Sequence, residues 1–111
     1  MDSKKIDIAA GAIKESFEEK KVELNKIIIY GSSAYLSLKD CNDIDIIIIS
    51  KSFRKKNYDE RLLVFRNLNR DLVKKTNKPV DILYYSDEEW KDNSSLIIRE
   101  AKRNGRVIYS A

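Results

Sequence analysis

The hydrophobic positions divide the chain into segments with two different repeats. Near the N-terminus apolar residues recur every three or four positions, which predicts an amphipathic helix over residues 3–21. The apolar positions of this helix are Ile6, Ala9, Ala10, Ile13 and Phe17. Three short apolar runs are instead typical of buried strands. They cover residues 26–30, 43–50 and 79–84.

The second half of the chain alternates helix signals with strands. Asn57 and Glu60 form a capping-box pattern that predicts one helix from there to about Lys75. Its predicted buried stripe consists of Leu62, Leu63, Val64, Phe65, Leu68, Leu72 and Val73. Its predicted solvent-facing residues are Arg61, Arg66, Arg70 and Asp71.

A second capping-box pattern begins the C-terminal part of the chain. Ser86 with Glu89 predicts a short helix that carries Trp90. From Ser94 or Ser95 a last helix is predicted to run to Asn104-Gly105, before a short strand over residues 106–109. The residues of that helix predicted to point inward are Leu96, Ile97, Ile98 and Ala101.

The order of these elements predicts a small α/β (α+β) fold. Strands and helices alternate without internal repeats or linkers, so residues 1–111 are expected to form a single domain. We expect a small mixed β-sheet with helices mainly on one face.

Composition narrows the chemistry. The chain has no histidine and a single cysteine, Cys41, which excludes histidine-based zinc sites, serine–histidine and cysteine–histidine triads, and an internal disulfide. No signal peptide and no membrane-spanning run is recognisable, which predicts a cytoplasmic protein without a membrane partner. The net charge of +4 permits nucleotides, nucleic acid or an acidic protein as partners, and is equally typical of a solvated surface.

The stretch from Lys26 to Ser50 carries the candidate chemistry. Strand alternation places Asp43 and Asp45 on one face of a strand that is otherwise rich in isoleucine. Buried carboxylates are costly unless a cation compensates them, and a divalent metal is the expected compensation. Gly31 permits a sharp turn, and Ser32 can cap a short helix over residues 32–38 whose N-terminus would hold phosphate. The combination indicates a nucleoside triphosphate bound with Mg²⁺.

Gly31-Ser32, ten further residues and Asp43-x-Asp45 together resemble the signature of the DNA polymerase beta-like nucleotidyltransferases. The short chain is similar to their minimal branch. The resemblance implies a polymerase beta palm-like fold and transfer of a nucleoside monophosphate, AMP from ATP, to a hydroxyl acceptor. It implies catalytic and metal roles for Asp43, Asp45 and Asp81 with two Mg²⁺ ions, and nucleotide contacts from Gly31, Ser32 and Ser33. For Asp81 alone, a salt bridge to a lysine or arginine is the alternative.

The sequence departs from that signature at three positions, one of which is Asn42, where a serine commonly precedes the first aspartate. Tyr35 and Leu36 stand where the minimal branch commonly has arginine and glycine, so the arginine's positive charge is missing there. This motivates a second hypothesis, a non-catalytic antitoxin that binds its partner through surface contacts. Its candidate contacts are the aromatic residues Tyr58, Tyr85 and Trp90.

The resemblance also bears on partners. It implies a helical HEPN-type nuclease encoded beside this protein, which some family members silence by attaching AMP. Nucleic-acid binding is a third and weaker hypothesis, because the basic residues lack interleaved aromatic residues. Those basic residues are the predicted loop 51–56, favoured as a solvated linker, and Lys74, Lys75 and Lys78.

Overall fold

The computed structural model describes residues 3–34 and 42–111. Its helices are α1 (Ser3–Glu19), α2 (Tyr58–Val64), α3 (Leu68–Thr76), α4 (Asp87–Lys91) and α5 (Leu96–Asn104). Its strands are β1 (Lys26–Tyr30), β2 (Ile44–Ile49), β3 (Val80–Tyr85) and β4 (Arg106–Ser110). Short 3-10 helices follow β1 at Gly31–Ala34 and β2 at Lys51–Lys55. The rest of the predicted helix 32–38, with Tyr35, Leu36 and Cys41, lies outside the described residues.

The four strands form one mixed sheet in the order β3-β2-β1-β4. Strand β1 is antiparallel to both β2 and β4, whereas β2 and β3 are parallel. Parallel neighbours need a long crossover, and the segment from Lys51 to Pro79, which contains α2 and α3, supplies it. The predicted mixed sheet is confirmed.

Strand β2 separates two apolar cores of unequal size. Ile44, Ile46 and Ile48 face the larger core, where Phe17 of α1 and Leu72 of α3 also pack. Ile47 and Ile49 face the smaller core, which Ala101 of α5 helps to close. Most of the helical cover therefore lies on one face of the sheet, as predicted, and α5 covers part of the other.

The predicted single helix from Asn57 to Lys75 is wrong, because it is broken at Phe65. This residue leaves helical geometry (φ −114°, ψ 28°), and its ring stacks on Phe17 with the ring centroids 4.3 Å apart. The break turns α2 so that the side chains of Leu62 and Leu63 are 41% and 66% exposed. The predicted buried stripe is correct at Phe65, Leu68 and Leu72 and wrong at these two leucines.

Arg61 was also predicted wrongly, because it is buried rather than solvent-facing. The residue is 6% exposed and forms an ion pair with Glu89 (Nη1 to Oε1, 2.7 Å). The guanidinium also donates to three backbone carbonyls, those of Phe53, Lys56 and Tyr84. Five donors in a planar fork allow arginine to be buried when each finds an acceptor, which helical periodicity cannot reveal.

Both capping boxes are confirmed, at Asn57 with Glu60 and at Ser86 with Glu89. The predicted basic loop after β2 is instead a 3-10 helix, capped by the Ser50 side chain. In α5, Ile98 and Ala101 are buried as predicted, but Leu96 is 74% and Ile97 39% exposed, because α5 turns only one narrow stripe toward the sheet. Within the described part of the chain, no helix is both long and apolar enough to cross a membrane.

Candidate active site

A row of three residues crosses the sheet at one end of β2. Asp45 pairs with Tyr30 of β1 on one side and with Asp81 of β3 on the other. Residues directly opposite each other on neighbouring strands share a face, so these three side chains leave the sheet together. Asp43 directly precedes β2, which begins at Ile44 rather than at Asp43 as predicted, and its carboxylate also lies close to those of Asp45 and Asp81.

The three predicted carboxylates converge. One carboxylate oxygen each from Asp43, Asp45 and Asp81 lies within 4.8 Å of the other two. Asp43 and Asp45 are half-buried, and Asp81 is exposed. Clustered hard oxygen donors of this kind suit Mg²⁺. The three residues could therefore hold a divalent cation between β2 and β3.

The repulsion among these carboxylates is expressed in the pKa of Asp45. Its partial burial, followed by the negative charges of Asp43 and Asp81, raises the pKa of its carboxyl above the ordinary value. Burial and like charges both disfavour the ionised form, and a nearby cation favours it. Both the electrostatics and the geometry of the three carboxylates therefore fit a divalent cation.

Gly31 allows the chain to pass directly against the Asp45 carboxylate. Its φ is +65°, a conformation that favours glycine. A Cβ atom at this position would lie 2.6 Å from Asp45 Oδ2. Two independent constraints, the backbone angle and the close approach, therefore favour glycine where the sequence predicted a nucleotide contact.

Ser33 ties the turn after β1 to the aspartate strand. It is buried, and its hydroxyl donates to the Tyr30 carbonyl (2.8 Å) and accepts from the Asp45 amide (3.2 Å). This positioning role was missed by sequence reasoning, which can read a serine after a glycine as a cap or as a phosphate contact. Contact of Gly31, Ser32 and Ser33 with a nucleotide stays a prediction.

Tyr30 is a second residue that sequence reasoning missed. Burial first, and then the charges of Asp45 and Asp81, raise the pKa of its hydroxyl, which keeps it a neutral O–H donor beside the carboxylates. Its cross-strand position opposite Asp45 was the available signal, but it depends on a register that the sequence does not state. Of the three aromatic contacts predicted for a partner, Tyr58 is exposed as expected, whereas Tyr85 and Trp90 pack partly against the smaller core.

Replacing Gly31 by alanine should disturb the site and the fold together. A side chain at positive φ costs about 1–2 kcal/mol, and its Cβ would displace the Asp45 carboxylate. We expect a lower free energy of unfolding in urea and weaker Mn²⁺ binding in a calorimetric titration. Gly11→Ala is the matched control, because Gly11 lies in α1 with nothing within 4 Å of an added Cβ. That change should stabilise the protein by about 0.5–1 kcal/mol. Unchanged Mn²⁺ binding in Gly31→Ala would contradict the crowding argument.

The raised pKa of Asp45 predicts a pH dependence of stability in the absence of metal. A carboxyl whose folded pKa exceeds its unfolded value of about 3.9 binds its proton more tightly in the folded state. The protonated carboxyl therefore adds to the free energy of unfolding. This contribution is fully present below the unfolded pKa and is lost as the pH rises through the raised folded pKa. Relative to Asp45→Asn, the wild type should therefore lose stability across this window in chelator, measured by urea unfolding at each pH.

The matched control for that titration is Asp92→Asn, since Asp92 is an exposed carboxylate at the end of α4. Its curve should run parallel to that of the wild type. Saturating Mg²⁺ near neutral pH should restore the stability that the wild type loses in chelator. A wild-type curve that stays parallel to that of Asp45→Asn would contradict the electrostatic account of the cluster.

Comparison with solved structures agrees with the fold. Among solved structures, the chain is similar to a candidate nucleotidyltransferase from Sulfolobus solfataricus, with a TM-score of 0.64 and 20% identity over 96% of this chain and 83% of that one. It is also similar to a crystal structure from Shewanella oneidensis, with a TM-score of 0.56 and 13% identity over 94% of this chain and 71% of that one. At these identities the likeness shows the fold alone.

Sequence comparison gives the family. No curated protein matches the chain. Residues 12–111 match the family described as Polymerase beta, Nucleotidyltransferase. That span contains the turn at Gly31 and all three clustered aspartates. The chain therefore belongs to the polymerase beta nucleotidyltransferase family.

Proposed function

We propose that this protein is a Mg²⁺-dependent nucleotidyltransferase that transfers AMP from ATP to a hydroxyl acceptor. The observation that carries the proposal is the convergence of Asp43, Asp45 and Asp81 to within 4.8 Å. Family membership supports the reaction class. The raised pKa of Asp45 supports a cation as a component of the working site.

Each residue of the site has a proposed task. Asp43 and Asp45, with Asp81, would hold two Mg²⁺ ions. When bound, the metal supplies charge neutralisation for the triphosphate and acidifies the acceptor hydroxyl. Gly31, Ser32 and Ser33 would hold the triphosphate from the turn beside Asp45. Ser33 keeps that turn in register with β2 through its two hydrogen bonds.

The proposed chemistry is a displacement at the α-phosphorus. The acceptor oxygen forms a bond to the α-phosphorus, the bond from that phosphorus to the bridging oxygen breaks, and pyrophosphate leaves. The acceptor's proton passes to Asp81, the exposed carboxylate of the three, and from there to solvent.

For the acceptor, we propose a side-chain hydroxyl of a helical HEPN-type protein encoded beside this one. The resemblance to minimal nucleotidyltransferases supports this choice, and the site itself is compatible with any hydroxyl acceptor. We further propose that the two proteins act together in the cytoplasm, with the neighbouring protein as the toxin and this protein as the antitoxin.

A second candidate function is a non-catalytic antitoxin that keeps the nucleotidyltransferase fold. Tyr35 and Leu36, in place of the usual arginine and glycine, favour it. Under this alternative the partner is bound and inhibited equally well when the three aspartates are replaced by asparagine.

The deciding experiment follows label from α-labelled ATP with Mg²⁺. The protein is tested alone and then with the product of the neighbouring gene, using each of the four nucleotides in turn. We expect label on the neighbouring protein, with ATP as the best donor. No label from any nucleotide, despite tight binding between the two proteins, would support the non-catalytic antitoxin instead.

A further inference from the structure

We propose that the surface around α2 docks an acidic amphipathic segment of a protein partner. This α2 surface consists of Lys20, Lys56, Leu62, Leu63, Arg66 and Asn67. It contains two cavities, of about 610 Å³ and 280 Å³, that share Arg66 as a lining residue. The inference concerns binding and does not depend on nucleotidyl transfer.

The apolar part of the surface consists of two neighbouring leucines that are exposed to solvent. Leu62 and Leu63 are adjacent in a seven-residue helix and are 41% and 66% exposed. Leu63 lines the larger cavity together with Val22 and Phe53, and Leu62 lines the smaller one. The two cavities have apolar walls and could receive the apolar side chains of a docked helix. The two exposed leucines beside them would pack against the same helix.

The charged residues of the surface favour a negatively charged partner. Lys20, Lys56 and Arg66 line the larger cavity, and no carboxylate is among its described lining residues. None of the three forms an ion pair with any carboxylate of residues 3–34 and 42–111, in contrast to Lys51 and Arg54, which do. Cations without a carboxylate partner around an apolar cavity complement a segment that carries carboxylates beside its apolar residues.

The chemistry of the surface favours a protein over a nucleic acid. Bases bind proteins by stacking on exposed rings, but Phe53 and Phe65 beneath this surface are 1% and 2% exposed. The exposed apolar groups are leucines, which instead pack against other apolar side chains.

The α2 surface also lies away from the aspartate cluster. Its cavity walls belong to the larger core, whereas Asp45 shares a sheet face with Ile47 and Ile49 of the smaller core. A segment docked here would therefore leave Asp43, Asp45 and Asp81 accessible.

The test uses the full chain and a synthetic helical peptide of about 14 residues, or four turns. The peptide has leucines at positions i, i+3, i+4 and i+7 and glutamates elsewhere. Amide chemical shifts of the ¹⁵N-labelled protein should change at the α2 surface when the peptide is added. Binding should weaken when NaCl is raised from about 0.1 M to 1 M, because the screening length falls from about 10 Å to 3 Å.

Variants distinguish peptide binding at this surface from non-specific binding. Leu63→Ser and Arg66→Glu should each weaken peptide binding about tenfold or more. Both side chains are exposed, so the fold should survive both changes. Leu96→Ser is the matched control, because Leu96 is a 74% exposed leucine on α5, and it should bind the peptide as the wild type does.

Three results would overturn the proposal. The first is non-specific binding, seen either as equal binding of a scrambled peptide of the same composition or as peptide binding that Leu63→Ser leaves unchanged. The second is binding of a single-stranded DNA of about 12 nucleotides to this surface without binding of the peptide. The third is self-association of the free chain that Leu63→Ser abolishes, since the surface would then join two copies of this protein. Labelled-ATP transfer is scored separately and is unaffected by any of these results.

Discussion

Replacing Asp43 and Asp45 together by asparagine should reduce nucleotidyl transfer by about 10³-fold or more, the scale seen when groups that stabilise transition-state charge are removed. Asparagine keeps the shape of each side chain but removes both negative charges between β2 and β3. The remaining Asp81 carboxylate is exposed, and it supplies only one of the three clustered carboxylate ligands. The measurement is transfer of label from α-labelled ATP to the neighbouring protein.

The same double variant should remain folded. In chelator it should be at least as stable as the wild type, because like charges among three close carboxylates are removed and Asp45 no longer has a raised pKa. Thermal unfolding followed by circular dichroism measures this directly. Asp92→Asn, which removes an exposed carboxylate at the end of α4, should leave transfer unchanged. Transfer that persists in the double variant would overturn the proposed reaction.

Arg61→Met should destabilise the protein by about 3 kcal/mol or more, because a buried carbonyl left without its donor costs about 1–3 kcal/mol. The substitution leaves the carbonyls of Phe53, Lys56 and Tyr84 without this donor, and it removes the ion-pair partner of Glu89. Each kcal/mol corresponds to a fall in Tm of about 4–8 °C for a domain of this size. Urea unfolding at neutral pH measures the loss.

The reason for so large an effect is that Arg61 joins α2 to three other elements. It links α2 to the 3-10 helix after β2, to the end of β3, and through Glu89 to the start of α4. Glu89 in turn accepts from the Ser86 amide at the cap of α4, 2.7 Å away. Arg66→Met is the matched control, since Arg66 is exposed two residues beyond α2 and should change stability by less than about 0.5 kcal/mol. Equal losses in the two variants would contradict the structural role of Arg61.

Much of the candidate site could be predicted from local patterns. The apolar runs of β1 and β2 fixed the positions of both strands, and period-two alternation placed Asp43 and Asp45 on one face. Gly31 was recognised as special because glycine directly after a strand permits a turn that other residues resist. The roles of Tyr30 and Ser33 could not be predicted, since each depends on a partner more than ten residues away.

Some errors had a single physical origin. Periodicity predicts that a helix continues while its pattern continues, so the break at Phe65 and the exposure of Leu62 and Leu63 were missed. The ring of Phe65 stacks between those of Phe17 and Tyr84, and neither partner belongs to its own helix. Arg61 was misplaced for the same reason, because the carbonyls that accept its hydrogen bonds come from other elements.

The sequence by itself determined the class of fold and the types of residue in the site. These follow from local rules, namely strand alternation, capping pairs and the absence of histidine. The tertiary structure alone decided that β2 and β3 are parallel with Asp45 opposite Asp81, which brings three carboxylates within 4.8 Å. It also decided that Gly31 lies against Asp45 and that Arg61 is buried. The physical reason is that strand register and the burial of a charge depend on partners distant in sequence, which no local pattern contains.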